Sequence, residues 1–318
     1  MNIVILERGT VGMDVSVDIL HELGNVTIYE NSKVIQVADR VKDADIIIAN
    51  KMPLSRHTLK DASHVKLIAQ FATGYDNIDL DYCRERSIAV CNISDYSTPS
   101  VTQHTFALAL FLSEHLPYYD EYVKSGSWAA QEGFTHFSNT FFELSGKTWG
   151  IIGMGNIGRR VASAASAFGC RVVWASTTGN KRDEGYEKLS LIELLGVSDY
   201  VSIHCPLTKA THHLINADSL KLMKSSAILI NVARGGVVDS AALADALNSH
   251  TIAAAGIDVV EGEPISVNNP LNTIKDSDRL IITPHMAWAS LEARSRVVTE
   301  AYKNIAAFLK GEERNRII

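Results

Sequence analysis

The chain has 318 residues, of which 46% are hydrophobic and 21% are charged, and its formal net charge is −6. This composition is typical of a folded globular protein of about two domains and excludes a disordered or fibrous chain. The acidic balance, with no block of basic residues, argues against nucleic acid as a partner.

The first residues, the apolar runs and the cysteines indicate the cellular compartment in which the protein is expected. The first residues lack the basic, apolar and small-residue regions of a signal peptide, and no apolar run reaches membrane-spanning length. The four cysteines are scattered without a C-x-x-C pair, which favours reduced thiols. We therefore expect a cytoplasmic protein with no membrane contact, and the sequence predicts no metal site.

The first part of the chain alternates short apolar strands with helical patterns. Such alternation indicates a doubly wound parallel sheet over residues 1–98. The predicted strands are residues 3–6, 26–29, 46–49, 67–71 and 88–91. The predicted helices are residues 15–23, 34–41, a short one at Leu59, and residues 79–86.

One turn of this first unit stands out because it directly follows the fourth predicted strand, at residues 72–77. Ligands of such folds bind beyond the carboxyl ends of the strands. The backbone N–H groups of Thr73 and Gly74 are placed to hold a small anion. A plain turn accounts for the same residues equally well.

A boundary follows at Pro99. Residues 100–115 then form a predicted helix that is apolar nearly all round, so we expect it to be buried between domains or in a subunit interface. Residues 118–143 are rich in aromatic side chains and have no clear period. They are either an arm that embraces a partner subunit or a surface loop. Together these segments favour a homodimer joined through the second domain.

A glycine-rich motif opens the second unit at residues 148–162. A buried strand leads into Gly153, Gly155 and Gly158 at G-x-G-x-x-G spacing, and a helical pattern follows. The first glycine permits a tight turn, the second lets a pyrophosphate approach the backbone, and the third lets helix and strand pack closely. The N–H groups at the start of the helix then face the phosphates. The motif predicts a dinucleotide site.

The remaining elements complete a second doubly wound sheet. The predicted strands are residues 171–174, 200–203, 227–230, 252–257 and 280–282, with helices at 191–195 and 241–247. A long helix at residues 291–309 comes after this sheet is finished, so we expect it to return to the first domain. The predicted fold is α/β: a Rossmann-type domain (99–289) inserted into a flavodoxin-like domain (1–98 with 290–318), with a ligand cleft between them.

The end of the strand at 171–174 bears on the coenzyme. A carboxylate is expected about 20 residues after the glycine motif when NAD is bound. Ala175, Ser176 and Thr177 stand there instead, and Lys181 and Arg182 follow. Hydroxyl groups with nearby cations suit a 2′-phosphate, although both cations also fit a solvated loop. The sequence favours NADP over NAD by a small margin.

Three charged or ionisable residues each follow a predicted strand of the second unit. They are Arg234, Glu263 and His285. Each alone has an ordinary interpretation, as a surface ion-pair partner, a loop carboxylate or a turn histidine. Their shared position at strand ends, where catalytic groups of such sheets lie, makes the set a candidate active site.

The whole chain resembles the D-isomer-specific 2-hydroxyacid dehydrogenases. The resemblance rests on the turn and residues after it at 72–79, the glycine motif, the H-C-P-L-T motif at 204–208, and the three charged motifs in the same order. The segments at 50–55, 103–108 and 285–290 are most similar to hydroxypyruvate reductases, also called glycerate dehydrogenases.

The resemblance implies a mechanism. Arg234 binds the substrate carboxylate and polarises the 2-keto oxygen, and His285 gives that oxygen a proton while NAD(P)H supplies the hydride. Glu263 orients His285 and favours its charged form. Backbone N–H groups at Thr73 and Gly74 hold the other side of the carboxylate. The predicted cofactor-binding residues are Gly153, Gly155, Asn156, Ile157, Gly158, Ser176, Thr177, Lys181, Cys205, Pro206, Ala233 and Asp258.

Other functions stay open at this point. Reduction of hydroxypyruvate to D-glycerate is favoured, with glyoxylate or a bulkier 2-keto acid as the alternative substrate. A dinucleotide-sensing corepressor or scaffold is the alternative of another class. The intact Arg234, Glu263 and His285 argue against it.

Overall fold

The computed structural model describes residues 1–179, 185–276 and 278–318. Two compact units divide the chain. The terminal unit comprises Met1–Ser97 together with Ala289–Ile318, and the central unit comprises Thr98–Trp288.

The terminal unit contains a parallel five-stranded sheet. Its strands are β1 (Asn2–Ile5), β2 (Asn25–Ile28), β3 (Ile46–Ala49), β4 (Leu67–Gln70) and β5 (Ala89–Cys91). Their order is β2-β1-β3-β4-β5, which is the flavodoxin-like order. All residues of β3, β4 and β5 are buried, as expected for strands covered on both faces. Helices α1 (Val34–Val41) and α2 (Leu80–Glu85) connect strands of this sheet.

The central unit contains a parallel seven-stranded sheet. Its strands are β6 (Thr148–Ile152), β7 (Arg171–Ala175), β8 (Glu187–Lys188), β9 (Tyr200–Ile203), β10 (Ile228–Asn231), β11 (Ala254–Ile257) and β12 (Leu280–Ile282). Their order is β12-β11-β10-β9-β6-β7-β8, so the chain reverses direction across the sheet between β6 and β9. This is the Rossmann arrangement with one added strand. Hydrophobic clusters cover both faces of the sheet.

The central unit also contains helices. They are α3 (Thr98–Ser113), α4 (Leu116–Lys124), α5 (Ser127–Ala130), α6 (Asn156–Ala167), α7 (Leu191–Val197), α8 (Ala217–Leu222) and α9 (Ser240–Asn248). Helix α3 contacts α6, β10 and β11, and Leu108 lies directly against Gly256. The apolar surface of α3 is therefore largely covered within the central unit itself.

The last helix, α10 (Leu291–Leu309), belongs to the terminal unit. It contacts β4, and its buried side chains include Val297, Ala301 and Ile305. Asn304 Nδ2 donates to the Asn92 carbonyl at 2.8 Å, which fixes the helix to the segment after β5. The predicted fold class, two doubly wound parallel sheets, is confirmed.

Two predicted helices of the terminal unit are wrong. Residues 55–61 form turns: the Leu59 N–H donates to the Ser55 carbonyl at 2.9 Å, but this single helical bond is not continued into a helix. The predicted helix at 15–23 is a shorter 3-10 helix, Asp18–Leu23. Its one buried residue is Leu20, so the apolar positions of this stretch do not form a continuous helical face.

Two further structural findings bear on the sequence analysis. No helix among the described residues is long and apolar enough to cross a membrane. Cys83, Cys91, Cys170 and Cys205 are all buried and unbridged in the structure.

Candidate active site

The three charged residues follow three neighbouring strands of the central sheet. Strands β10, β11 and β12 are adjacent and parallel, so their carboxyl ends lie at one edge. Arg234 comes three residues after β10, Glu263 six residues after β11, and His285 three residues after β12. The topology thus places all three loops at that edge, where polar side chains can meet.

His285 and Glu263 form a hydrogen-bonded pair. The imidazole Nδ1 lies 2.6 Å from Oε2 of the carboxylate. The other carboxylate oxygen, Oε1, accepts the Val260 N–H at 3.2 Å. The His285 backbone has a φ of 53°, an uncommon value for a residue other than glycine. Such conformations cluster at functional sites, where the surrounding structure enforces them.

Asp258 enforces the position of the His285 segment. Its carboxylate accepts the Thr283 hydroxyl at 2.6 Å and the N–H groups of Met286 and Ala287, both at 2.9 Å. Its carbonyl accepts the His285 N–H at 2.8 Å. Asp258 is 2% exposed, so these bonds form away from water and leave little freedom to the loop. The sequence analysis assigns Asp258 to the cofactor, and the structure shows it as the anchor of the His285 loop.

His104 of α3 joins the hydrogen bonds that Asp258 makes to the His285 loop. Its Nε2 lies 2.9 Å from the Thr283 hydroxyl oxygen. Because that hydroxyl gives its one hydrogen to Asp258, the bond requires a donating Nε2–H on His104. Burial lowers the pKa of His104, and the charge of Asp258 opposes that shift. Sequence analysis assigned no role to His104, although a histidine on an apolar helix is a recognisable signal.

The Arg234 loop is shaped by a buried amide side chain. Asn231, fully buried at the end of β10, donates from Nδ2 to the Arg234 carbonyl at 3.0 Å and accepts the Ala233 N–H at 3.1 Å. Arg234 Nη1 donates to the Ala233 carbonyl at 2.8 Å. Among the described residues, no other hydrogen-bond acceptor engages this guanidinium. Most of its fork of donors is therefore available to an anionic ligand.

Gly235 brings the Arg234 loop against the loop that carries Glu263. A Cβ at this position would stand 1.9 Å from the Val260 carbonyl carbon and 2.3 Å from the Glu261 nitrogen. No side chain fits such a distance, so the two backbones touch only because residue 235 is glycine. The carboxylate and the guanidinium are carried by loops in direct contact.

The glycine motif has the predicted form. Gly153 has a φ of 95°, and a Cβ on Gly158 would lie 2.2 Å from the Gly153 carbonyl oxygen. No atom of the part of the chain that the structure describes lies within 4 Å of the Cβ position of Gly155. Asn156, Ile157 and Gly158 form the first turn of α6. The backbone at this helix start thus faces open space of the kind that a pyrophosphate needs.

A cleft of about 250 Å³ lies beside the motif, within the central unit. It gathers six of the predicted cofactor residues: Gly153, Gly155, Ser176, Thr177, Cys205 and Pro206. Met154, Arg159, Trp174, Thr178 and His204 also line it. Predicted residues Ala233 and Asp258 are at the end of the sheet that carries His285. Lys181 lies outside the described residues.

Sequence analysis gave no role to two polar residues of this cleft. Arg159 is on the first turns of α6 and donates to Asn156 Oδ1 at 2.7 Å. His204 follows β9; its Nε2 lies 3.0 Å from the Ser202 hydroxyl, while its buried Nδ1 has no hydrogen-bond partner among the described residues. Burial lowers the pKa of His204 to about 3. The signal for His204 was its position at the end of a buried strand, next to the predicted Cys205.

In the terminal unit, the turn after β4 presents backbone donors. Within the described part of the chain, the N–H groups of Thr73 and Gly74 have no hydrogen-bond acceptor. The turn is fixed from behind: Gln70 Nε2 donates to the Gly74 carbonyl at 3.1 Å, and the Thr73 hydroxyl donates to the Ile93 carbonyl at 2.7 Å. A rigid turn with unused N–H groups is a suitable anion-binding element.

The loop after β3 is held in a related way. Oε2 of the buried Glu7 accepts the N–H groups of Asn50, Lys51 and Met52 at 2.8 to 2.9 Å. Gln70 Nε2 also donates to the Asn50 carbonyl at 2.6 Å. The loops after β3 and β4 are thus joined by buried side chains into one edge of the five-stranded sheet.

Comparison with known proteins identifies the family. A family model described as D-isomer specific 2-hydroxyacid dehydrogenase, NAD binding domain, matches residues 106–287. The chain belongs to this family. It is an oxidoreductase that acts on 2-hydroxy or 2-keto acids, and the predicted family and enzyme class are confirmed.

Two curated relatives show the breadth of the family. A hydroxypyruvate reductase of Blautia hydrogenotrophica is 36% identical over 301 residues, covering 93% of this chain and 92% of the relative. A glyoxylate reductase of Pyrococcus furiosus is 37% identical over 305 residues, covering 93% and 89%. The chain is thus almost equally similar to two relatives that are named for different substrates.

Solved structures carry both nicotinamide coenzymes. An acyclic imino acid reductase in complex with NADPH and D-Arg matches with a TM-score of 0.89 at 28% identity, covering all of both chains. An Aquifex aeolicus D-lactate dehydrogenase with NAD and lactic acid matches with a TM-score of 0.84 at 32% identity, covering 98% and 96%. The cofactor of this chain is NAD(P), and the cleft beside the glycine motif has the residues to hold it.

Proposed function

We propose that this enzyme reduces hydroxypyruvate to D-glycerate with NADPH, using Arg234, Glu263 and His285. The observation that carries the proposal is the 2.6 Å bond between His285 Nδ1 and Glu263, whose own loop also touches the Arg234 loop. The same edge of the sheet carries the glycine motif at its other strands. When bound, NADPH supplies the hydride to the keto carbon.

His285 delivers the proton from its second nitrogen. Glu263 engages Nδ1, so Nε2 is the nitrogen that faces the substrate. Protonated His285 gives the Nε2 proton to the keto oxygen as that oxygen gains negative charge, and solvent later restores the proton. The carboxylate stabilises the charged ring and holds it in one orientation. In the oxidation direction, neutral His285 accepts the hydroxyl proton.

Arg234 binds and polarises the substrate. Its unused donors can engage the substrate carboxylate and the keto oxygen together, and its charge favours the negative oxygen of the transition state. We also propose that the N–H groups of Thr73 and Gly74 bind the substrate carboxylate. Their support is the fixed turn of the terminal unit, which leaves both donors without a protein acceptor among the described residues.

Hydroxypyruvate is the preferred substrate in this proposal. Support comes from the Blautia hydrogenotrophica relative, named hydroxypyruvate reductase, and from the sequence resemblance at residues 285–290. Glyoxylate is the second candidate, because the Pyrococcus furiosus relative of similar identity is named glyoxylate reductase. The two substrates differ by a hydroxymethyl group, which a pocket contact can distinguish.

NADPH is the preferred coenzyme in this proposal. Ser176, Thr177 and Thr178 line the cleft where a ribose-binding carboxylate is expected for NAD, and Arg159 lies in the same cleft. None of the described residues that line the cleft is acidic. Predicted contributions from Lys181 are outside the described residues.

We further propose a cytoplasmic homodimer joined through the central unit. Because α3 is covered by its own sheet, the support comes from the aromatic segment after it. Phe134 and Phe137 are 89% and 83% exposed, and exposed aromatic clusters mark association surfaces. Neighbouring Tyr122 and His136 stack at 3.8 Å, so this segment has a defined structure despite its exposure.

Steady-state assays test the reaction and its substrates. NADPH and NADH oxidation is followed with hydroxypyruvate, glyoxylate, pyruvate and a branched 2-keto acid under the same conditions. The proposal expects the highest kcat/KM with hydroxypyruvate and NADPH. Best turnover with a bulkier acid would overturn the glycerate assignment, and a strong preference for NADH would overturn the coenzyme assignment.

A further inference from the structure

A cluster of metal-binding side chains lies outside the catalytic set, on the central unit. It consists of His212, His213 and Glu261. His212 Nε2 lies 3.2 Å from Glu261 Oε1, and His213 Nε2 lies 3.0 Å from Oε2. One ligand atom from each residue falls within 4.8 Å of the other two. The sequence analysis predicted no metal site, since Glu261 is 48 residues from His213 and only the fold brings them together.

The spacing of these atoms suits one tetrahedral ion. Zinc binds imidazole nitrogen and carboxylate oxygen at about 2.0 to 2.2 Å, which places neighbouring ligand atoms about 3.4 Å apart. The observed separations of 3.2 and 3.0 Å are close to that value. The two histidines approach different oxygens of Glu261, and all three ligand atoms lie within 4.8 Å of one another, so the side chains can close on an ion that replaces the hydrogen bonds. Water can complete its coordination. Two histidines and one glutamate form a known zinc ligand set.

The backbone holds this cluster in place. The His213 N–H donates to the Gly236 carbonyl at 2.8 Å, and His213 has a φ of 48°. The two imidazole rings stack with centroids 4.0 Å apart. Asp239 Oδ2 lies 3.9 Å from His213 Nδ1, the nitrogen that faces away from Glu261. A carboxylate behind a ligating histidine is the usual second partner at zinc sites.

Solvent ions can reach the cluster. The side chains of His212, His213 and Glu261 are 49%, 36% and 51% exposed. The described cysteines, which compete for zinc in many proteins, are all buried. We propose that His212, His213 and Glu261 bind one Zn²⁺ ion or a similar divalent transition metal.

Binding joins two segments next to the catalytic loops. Glu261 is two residues from Glu263, and His213 is bonded to Gly236, two residues from Arg234. An ion that contacts both segments stabilises the folded state, because the unfolded chain does not keep the three ligands together. The inference is independent of which keto acid the enzyme reduces.

Zinc titration of the untagged enzyme, first treated with a chelator, tests the site. Calorimetry should give one tight Zn²⁺ per chain, and Zn²⁺ should raise the Tm by several degrees, while Mg²⁺ should do neither. His213→Asn and Glu261→Gln should each weaken zinc binding by about 10-fold or more. Unfolding curves without metal verify that each variant is folded.

Two control variants separate this site from other histidines. His64→Asn removes an exposed histidine of the terminal unit, and His285→Asn removes the candidate proton donor. Both should bind Zn²⁺ like the unchanged protein. If zinc binding is lost in His285→Asn but kept in His213→Asn and Glu261→Gln, the ion binds the catalytic pair and the proposal is wrong. The proposal is also wrong if no binding is detected when Zn²⁺ is present at 100 times the protein concentration. The three residues would then form a hydrogen-bonded cluster only.

Discussion

The two halves of the seven-stranded sheet differ in the residues that lie at the carboxyl ends of their strands. At β6, β7 and β9, the edge is made of glycines, small hydroxyl residues and exposed backbone around a cleft. At β10, β11 and β12, it carries charged side chains whose loops are tied by Asn231 and Asp258. A large coenzyme needs space and backbone donors, whereas a small substrate needs a few charges held in fixed positions.

This difference predicts that substitution of the charged residues after β10, β11 and β12 strongly reduces activity. His285→Ala should lower kcat by about 10² to 10⁴-fold, because the keto oxygen loses its proton donor. Coenzyme affinity, measured by fluorescence titration, should not change. His64→Ala is the matched control and should retain full activity. Near-normal turnover in His285→Ala would exclude the histidine as the donor.

Arg234→Lys tests whether the guanidinium fork matters beyond its charge. Lysine keeps the charge but offers a single donor centre, so kcat/KM should fall by about 10² to 10³-fold. The measurement is steady-state reduction with the preferred keto acid. Equal kinetics in the two proteins would show that the arginine is structural.

Gly235→Ala tests the contact between the loops that carry Arg234 and Glu263. A methyl group there meets the Val260 backbone at 1.9 Å, so the variant should lose about 1 to 3 kcal/mol of unfolding free energy and part of its kcat/KM. Gly196→Ala is the control: its nearest neighbour would be 3.8 Å away, and α7 should accept it. Urea denaturation compares the two. Equal behaviour would contradict close contact of the loops.

In the half of the sheet that carries the cleft, His204 should make the free energy of unfolding depend on pH. His204 has a pKa of about 3 in the fold and about 6.5 when unfolded, so between these values the unfolded chain binds more protons. The free energy of unfolding should therefore fall with decreasing pH, by up to about 1.4 kcal/mol per unit from this residue. In His204→Gln that slope should be smaller. Urea denaturation at pH 5, 6 and 7 measures it, and equal slopes would contradict a neutral buried ring.

Sequence patterns predicted which strands and loops carry the candidate site residues. They did not predict the hydrogen bonds and contacts that fix those loops. Periodicity and strand ends placed Arg234, Glu263 and His285 together as a candidate set, because topology alone brings adjacent strand ends together. The roles of Asn231, His104 and Gly235 depend on contacts between residues distant in sequence, which no local pattern contains. The helix predicted at Leu59 is limited to one helical bond, from the Leu59 N–H to the Ser55 carbonyl, because the apolar pattern there does not extend over further turns.

The central claim is that Glu263 acts through His285. A double-mutant cycle tests it most directly, with kcat/KM measured for the unchanged enzyme, Glu263→Gln, His285→Ala and the double variant. Glu263→Gln should lower kcat/KM by about 10-fold or more in the unchanged enzyme and by less than about 2-fold when His285 is already absent, since paired groups act as a unit. The same factor in both backgrounds would contradict the account.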